Sequence, residues 1–398
     1  MPRTNGCAAR ISFRSVPLTD GDHDGTAAGV RGVRLATGRQ LLSYADPHAA
    51  AVVPRQYVHG RWSSPVIEPG FTFTELVPTW HADTPGSSWI EVSARVRVGA
   101  GETGQPRWSR WLVIARWADH DDELHATSVP GEATGEANVV TDTVRVAGRV
   151  ADAWQLRFGL MAPADAGGPI VSYVGAMASD VATGTAGLDG PTGRLLDRVL
   201  AVPTLSQRVH SGHYPRWGGG GDTWCSPTSI AMVLAYWGVG PDPDSLTWVE
   251  PGYPDRPVYH AVRHCWDHAY EGAGNWSFNV AYAARFGLDA FVTRLRGLDE
   301  AASFIDAGIP LIASLRVDPV ELPGSEYTSA GHLMVLAGFT PNGDVVVNDP
   351  AAKDLGTLRR VYPRAQFDRA WAAGSGRIVY VVKPPDVPLP QRPIEPNW

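Results

Sequence analysis

The stretch from Gly218 to Gly238, GGGGDTWCSPTSIAMVLAYWG, restricts the fold of this 398-residue chain more than any other. A glycine run enters a polar junction, a cysteine stands at that junction, and an apolar helix follows. Ser226, Pro227 and Thr228 supply the short polar side chains and the fixed φ that favour a helix start. Ile230, Val233, Leu234 and Trp237 then recur at helical spacing, and Gly238 stops the helix. The pattern predicts that Cys225 sits at a helix N-terminus, where unpaired N–H groups and the helix dipole stabilise a thiolate. A buried structural cysteine is the alternative, because free cysteine is among the most buried residue types.

A second constraint is the run from Gly331 to Ala352, GHLMVLAGFTPNGDVVVNDPAA, which reads as a β-hairpin. His332 opens an apolar strand, Pro341-Asn342-Gly343-Asp344 supplies turn residues that tolerate positive φ, and Val345 to Val347 return towards Asn348, Asp349 and Pro350. Cysteine, then histidine, then a carboxylate or amide is the chain order of papain-type cysteine peptidases. The chemistry needs these types. Imidazole near neutrality takes the thiol proton and returns it to a leaving amine, while an acceptor on its far nitrogen fixes the tautomer. Side chains alternate along a strand, so only one of Asn348 and Asp349 can point at His332. A simple hairpin centred on Asn342-Gly343 puts Leu336 opposite Asp349, and a bulge or strand twist is then required to bring Asp349 to His332.

WCSPTS ahead of an apolar helix, GHLMVLAGF and VNDPAA, in that order, resemble the peptidase family 39-like cysteine peptidases, and in particular a two-domain actinobacterial branch of them. GNWSFNVAYAARFGL and the run from Ala307 to Leu315 also fit that branch. The resemblance covers Val202 to Pro385 well and the N-terminal half more loosely. It implies a papain-like domain with Cys225 as nucleophile, His332 as general base and then general acid, and Asp349 orienting the imidazole. It also makes Asn275 and Trp276 candidate cleft residues, with turn-making and core packing as the alternative. One departure stands out: papain-type sites usually carry a glutamine six residues before the nucleophile, and here that position is Gly219. The backbone N–H of Cys225 supplies one donor to an oxyanion, and Gln207 is the candidate for another. Asp222, Trp224 and Asn348 are further candidates for the oxyanion site or the cleft.

Composition excludes other classes. With 44% hydrophobic and 19% charged residues the chain is long enough for two domains with proper cores. A formal charge of −7 argues against nucleic-acid and anionic-membrane partners. Cys7, Cys225 and Cys265 cannot all pair and give no disulfide framework. No apolar run is long enough to span a bilayer, and the first thirty residues hold no export-type apolar region. The expectation is a cytoplasmic protein as written, and a secreted one if the true start lies upstream. GGGGD lacks the Lys-Ser/Thr of a phosphate loop. His260, His264, Cys265 and His268 fall on a helix expected over Tyr259 to Tyr270, but the paired carboxylate or cysteine ligands of a zinc site are missing, so neither metal nor other cofactor is expected.

Residues 1–180 read as mostly β. Alternating segments such as Trp89 to Val98, Trp111 to Trp117, Asp142 to Ala147 and Trp154 to Met161, punctuated by Gly, Pro, Asp and Asn, suggest a β-sandwich. Seven tryptophans, at 62, 80, 89, 108, 111, 117 and 154, either fill its core or stack on sugars or peptides as a binding module. A Gly- and Thr-rich linker is expected over 181–200, an α+β domain over 201–385 with helices at Ser277 to Phe286 and Leu298 to Ala307, and a Pro-rich extended tail over 386–398. The fold expectation is therefore α+β, an N-terminal all-β sandwich followed by a papain-like domain. The activity expected is hydrolysis of a peptide or amide, cell-wall or glycan-linked substrates included, through a Cys-His-Asp triad and a thioester. Acyl transfer to another acceptor is one alternative. A catalytically inert peptide- or glycan-binding scaffold is another, suggested by Gly219. Substrate side chains and oligomeric state stay open.

Overall fold

A computed structural model describes residues 10–36, 40–99, 105–121, 123–180 and 196–398. Cys7 and most of the expected linker, 181–195, lie outside the described residues. The helices among them are α1 (Cys225–Tyr236), α2 (Arg256–Cys265), α3 (Trp276–Ala284), α4 (Leu298–Asp306) and α5 (Arg364–Ser375). None is long and apolar enough to cross a membrane. The described chain packs as two compact units, one gathering Ser12–Ser179 with Arg263–Arg285, the other Asp180–Val262 with Phe286–Trp398.

The first unit is a sandwich of two antiparallel sheets. One runs in the order Ala137–Val140, Thr143–Val146, Glu75–Asp83, Ile170–Asp180, Gly32–Leu35, Thr26–Gly29, with Arg10–Ser15 pairing on Ile170–Asp180. The other runs Thr127–Ser128, Leu112–Trp117, Trp89–Val98, Ala151–Ala162, Arg55–Ser63, Asp22–Asp24. Period-two alternation buries one face of each strand, so Trp62, Leu76, Trp80, Ile90, Trp117, Trp154 and Phe158 meet in one core. Trp80 of one sheet lies 6.5 Å from Phe158 of the other. Five of the seven tryptophans are fully buried, and only Trp108 and Trp111 remain half-exposed.

Arg263–Arg285 belongs to this core, although its sequence lies inside the expected 201–385 domain. The reason is apolar surface: Phe278 and Ala281 of α3 close one end of the sandwich core, Phe278 standing 6.1 Å from Trp80. Hydrogen bonds lock the join, from Ser277 Oγ to the Pro78 carbonyl (2.7 Å) and from the Ser128 N–H to buried Asp267 (2.9 Å). Asp267 also accepts from the backbone of Ala269 and Tyr270, and this turn ends α2 at Cys265 instead of Tyr270.

The second unit is an antiparallel sheet in the order Asp289–Arg294, Ile378–Lys383, Leu311–Val317, Ser329–Phe339, Val345–Asn348, Arg359–Tyr362, with Arg198–Val199 pairing on the central Ser329–Phe339 strand. Helix α1 lies against that strand through Ser229, whose hydroxyl donates to the Leu333 carbonyl at 3.2 Å. Helix α5 lies against Leu311–Val317, tied by Ser375 Oγ to the Ser314 carbonyl at 2.8 Å. The Pro-rich tail docks back by its end. Trp398 is buried 5.0 Å from Phe304 of α4, and Asn397 Nδ2 donates to the Arg294 carbonyl at 2.8 Å.

Candidate active site

Cys225 is the first residue of α1 and is only partly exposed. Gly218 to Gly221 all hold positive φ, between 64° and 77°. At Gly220 a side chain is excluded outright, because a Cβ there would stand 2.1 Å from the His210 carbonyl oxygen. The glycine run thus coils tightly against the His210 turn and delivers the chain into the helix. Trp224 precedes the helix as a buried anchor, its indole N–H donating to the Trp217 carbonyl at 2.6 Å. Ser229 lies one helical turn beyond Cys225, on the same face. Its bond to Leu333 therefore brings the cysteine side of α1 to the strand residue beside Leu333, which is His332.

The hairpin does the rest. Its turn is a three-residue loop in which Thr340 N–H donates to the Asp344 carbonyl and Gly343 takes φ 83°. The register then slips once more between Leu336 and Gly338, so Asn348 pairs with Val335. Extending that register puts Asp349 opposite Met334, two positions nearer His332 than a simple two-residue hairpin would. Asp349 shares the face of His332 and accepts from its Nε2 at 2.9 Å. Asn348 faces the other way, its Nδ2 donating to the Val202 and Pro203 carbonyls at 3.1 Å and its Oδ1 accepting from Arg359. With Nε2 committed to Asp349, Nδ1 is the nitrogen left for the Cys225 thiol, which is hydrogen-bonded to His332.

The three groups shift one another. Burial pushes the Cys225 thiol up, but the hydrogen bond and charge of His332 outweigh it and hold the thiol below its ordinary 9.0. Burial disfavours the imidazolium of His332, yet Asp349 and Cys225 together hold it well above the ordinary 6.5. Burial also raises Asp349, and the bonds from His332, the Ala351 N–H and Tyr327 overcome it and keep the carboxyl below 3.8. The arrangement is a cysteine at a helix start, polarised by a buried histidine that a buried carboxylate orients.

Residues 13–179 match the Peptidase C39 N-terminal domain, and residues 199–379 match the Peptidase C39 like family. The chain belongs to the C39-like peptidase family. It combines an N-terminal β domain with a cysteine-peptidase-type fold. A solved C39-like peptidase from Bacillus anthracis is 20% identical, aligns with 47% of this chain and 98% of its own, and superposes with a TM-score of 0.31. No curated protein matches the chain.

In this C39-like chain the other sequence candidates divide. Gln207 comes to the site: its backbone N–H donates to the Pro350 carbonyl at 2.9 Å and its Nε2 to the Gly221 carbonyl at 2.6 Å, so it spans the turn after Asp349 and the glycine run before Cys225. Asp222 is exposed and pairs with Arg208 at 2.8 Å. Trp224 packs behind the site, 5.7 Å from the rings of both His210 and Tyr259. Asn275 and Trp276 fall in the sandwich unit, where Asn275 caps α3 through the Phe278 N–H and the Trp276 N–H donates to Asp142. Both make a turn and a helix start there, the packing alternative of the sequence reading. Around α2, Cys265 is buried with its thiol pushed well up by burial, His264 stacks on Tyr282, and His268 has left the helix to meet the Ala126 carbonyl. Among the described residues no three or more His, Cys, Asp or Glu are arranged to hold a metal ion.

Tyr327 escaped the sequence reading. Its hydroxyl donates to both Asp349 oxygens at 2.9 Å, and its ring stands edge-on to His332 at 5.1 Å. Arg360 adds a positive charge 4.0 Å from the same carboxylate. The sole signal was an aromatic residue in the turn-rich PGSEYTSA segment, five residues ahead of His332.

Proposed function

We propose that the protein is a cysteine peptidase or amidase in which Cys225 is the nucleophile, His332 the general base and acid, and Asp349 the orienting group. One observation carries the reading: His332 bonds Asp349 at 2.9 Å through Nε2, and the same histidine is what holds the Cys225 thiol down. The Cys225 thiolate attacks the scissile carbonyl, forming the C–S bond. The developing oxyanion is received by the Cys225 backbone N–H and the remaining Nε2 hydrogen of Gln207, a residue eighteen positions upstream in place of the usual six. The imidazolium of His332 gives its proton to the leaving nitrogen as the C–N bond breaks, and a thioester remains. Water, losing its proton to His332, then releases the acid and restores the thiol.

The test is alkylation of the full chain by a small haloacetamide from pH 4 to 9, with the labelled site assigned by mass spectrometry, followed by a peptide-library digest. Labelling selective for Cys225, persisting well below the ordinary thiol range and lost in His332→Ala, is the expected result. An ordinary thiol titration indifferent to His332 would overturn the reading. Labelling as expected with no cleaved peptide in the library would keep the activated pair and remove peptide hydrolysis.

A further inference from the structure

Three imidazoles gather in the sandwich unit, at the place where the Arg263–Arg285 segment joins it. His268 meets both of the others, its ring 4.6 Å from that of His125 and 5.5 Å from that of His48. Each ring commits one nitrogen to an acceptor that fixes it. The backbone N–H and the Nδ1 of His268 both donate to the Ala126 carbonyl, at 3.1 and 3.0 Å. His125 Nδ1 donates to Asp46 at 2.7 Å. His48 Nε2 donates at 3.2 Å to the Thr127 hydroxyl, whose own hydrogen goes to the Ser128 carbonyl. One lone pair per ring is left, on Nε2 of His268, Nε2 of His125 and Nδ1 of His48. Among the described residues no such group is arranged to hold a metal ion, so the ligand that suits these lone pairs is the proton.

Among the described residues one carboxylate serves the trio. Asp46 is buried, accepts from the backbone N–H groups of His48 and His125 as well as from the His125 ring, and can balance one positive charge. The other described carboxylates on the elements that meet here are engaged: Asp121 by Arg263, Asp119 by Thr84 and Arg285, Glu123 by Arg55, and Asp267 by the Ser128 N–H and Asn275. A second proton on the cluster is therefore left without a counter-ion, beside a ring 4.6 Å away. Burial holds the His268 imidazole below its ordinary 6.5, and His125 and His48 push the same way, while the Ala126 carbonyl and Asp46 offset them in part. A base that is harder to charge in the folded chain than in the unfolded one stabilises the fold fully above about pH 6.5, and that contribution is lost as the pH falls through its folded value.

We propose that His48, His125 and His268 form an acid-operated clasp, closed near neutrality, in which protonation sets like charges against one another and drives the 267–274 turn off the Thr127–Ser128 strand. The turn holds more than itself. It presents Asp267 to the Ser128 N–H and leads into α3, whose Phe278 closes the sandwich core. Acid thus loosens the donated segment while leaving the sandwich strands paired. Asp142, buried under the Trp276 N–H, is pushed up to about 6 by burial and works in the opposite direction, since its contribution is lost as the pH rises. The effect of the trio is therefore a difference between parent and variant at each pH.

The experiment is thermal melting of the full chain at about pH 7.5 and about pH 5, on either side of the ordinary imidazole range, for the parent, His268→Gln and His48→Gln. Hydrogen exchange of the 267–274 turn, corrected for the intrinsic pH dependence of exchange, is followed under the same conditions. Glutamine keeps a donor for the Ala126 carbonyl or the Thr127 hydroxyl and takes no proton. Between the two pH values the melting temperature of the parent should fall by about 3 °C more than that of His268→Gln. The turn should lose protection in acid in the parent and keep it in both variants. An equal fall in parent and His268→Gln, or a parent turn equally protected at both pH values, overturns the proposal. His48→Gln carries the same comparison if His268→Gln does not fold.

Discussion

At Cys225 the decisive quantity is the crossing of two shifts. A thiol held down and an imidazole held up both favour the thiolate–imidazolium pair across the interval between their titrations. Below that interval the thiolate takes a proton, and above it the imidazolium loses one. Alkylation needs only the thiolate, so it should rise through an acid limb and stay high, whereas hydrolysis needs the imidazolium too and should fall again on the basic side. At pH 6 His332→Ala should label about a hundredfold more slowly, since burial then holds the thiol up with no histidine to offset it and leaves it almost wholly protonated. Asp349→Asn removes the charge that holds the imidazolium, so the basic limb of hydrolysis should move to lower pH and the rate fall by about 10²-fold or more. Tyr327 acts through Asp349. Its hydroxyl helps keep the carboxyl ionised, and Tyr327→Phe should move the acid limb of labelling towards higher pH by up to about one unit, with a buried hydrogen bond's worth of about 1–2 kcal/mol lost in stability. An unmoved limb with the same stability loss would leave Tyr327 a purely structural residue.

Two irregular elements assemble these side chains. The glycine run gives the turn into α1, and its four residues are not equivalent. An added Cβ meets open space at Gly219 but the His210 carbonyl at Gly220. Gly219→Ala should cost only the left-handed strain, about 1–2 kcal/mol, whereas Gly220→Ala must displace backbone. Thermal melts should show a clearly larger loss for Gly220→Ala, accompanied by loss of selective Cys225 labelling; equal melts would mean the run does not set the cysteine. In the hairpin, the three-residue loop and the register slip at Ala337 move Asp349 towards His332. The loop length is not marked in the sequence, where Pro-Asn-Gly-Asp is compatible with several, whereas the slip at Ala337 adjoins Gly338, a glycine inside a strand pattern of the kind that accompanies bulges but does not give their direction.

At the scale of the molecule, the segment Arg263–Arg285 is donated from the C-terminal half to the sandwich. Without it, Trp80 loses the ring of Phe278, and the backbone N–H of Ser128 loses Asp267. A fragment ending at residue 180 should therefore melt far below the sandwich transition of the full chain, or remain open to protease, even though it contains every sandwich strand. A fragment as stable as the full chain would mean that α3 contributes nothing to that core. Asp267→Ala in the full chain should cost about 3 kcal/mol or more, since it orphans buried donors on both sides of the join. Calorimetry of the variant checks this.

The sequence by itself determined the β-rich first half, the helix that starts at Cys225, the hairpin that begins at His332 and the family motifs, because each rests on local periodicity, turn chemistry or a short residue pattern. Tertiary structure alone decided that Asp349 and not Asn348 meets His332, that Gln207 reaches the site across eighteen residues, that Tyr327 clasps Asp349, and that Asn275 and Trp276 serve the sandwich. Each of these depends on register or on which apolar face meets which. A one-residue slip exchanges the two faces of a strand, and an apolar helix such as α3 carries no local mark of the surface that will bury it.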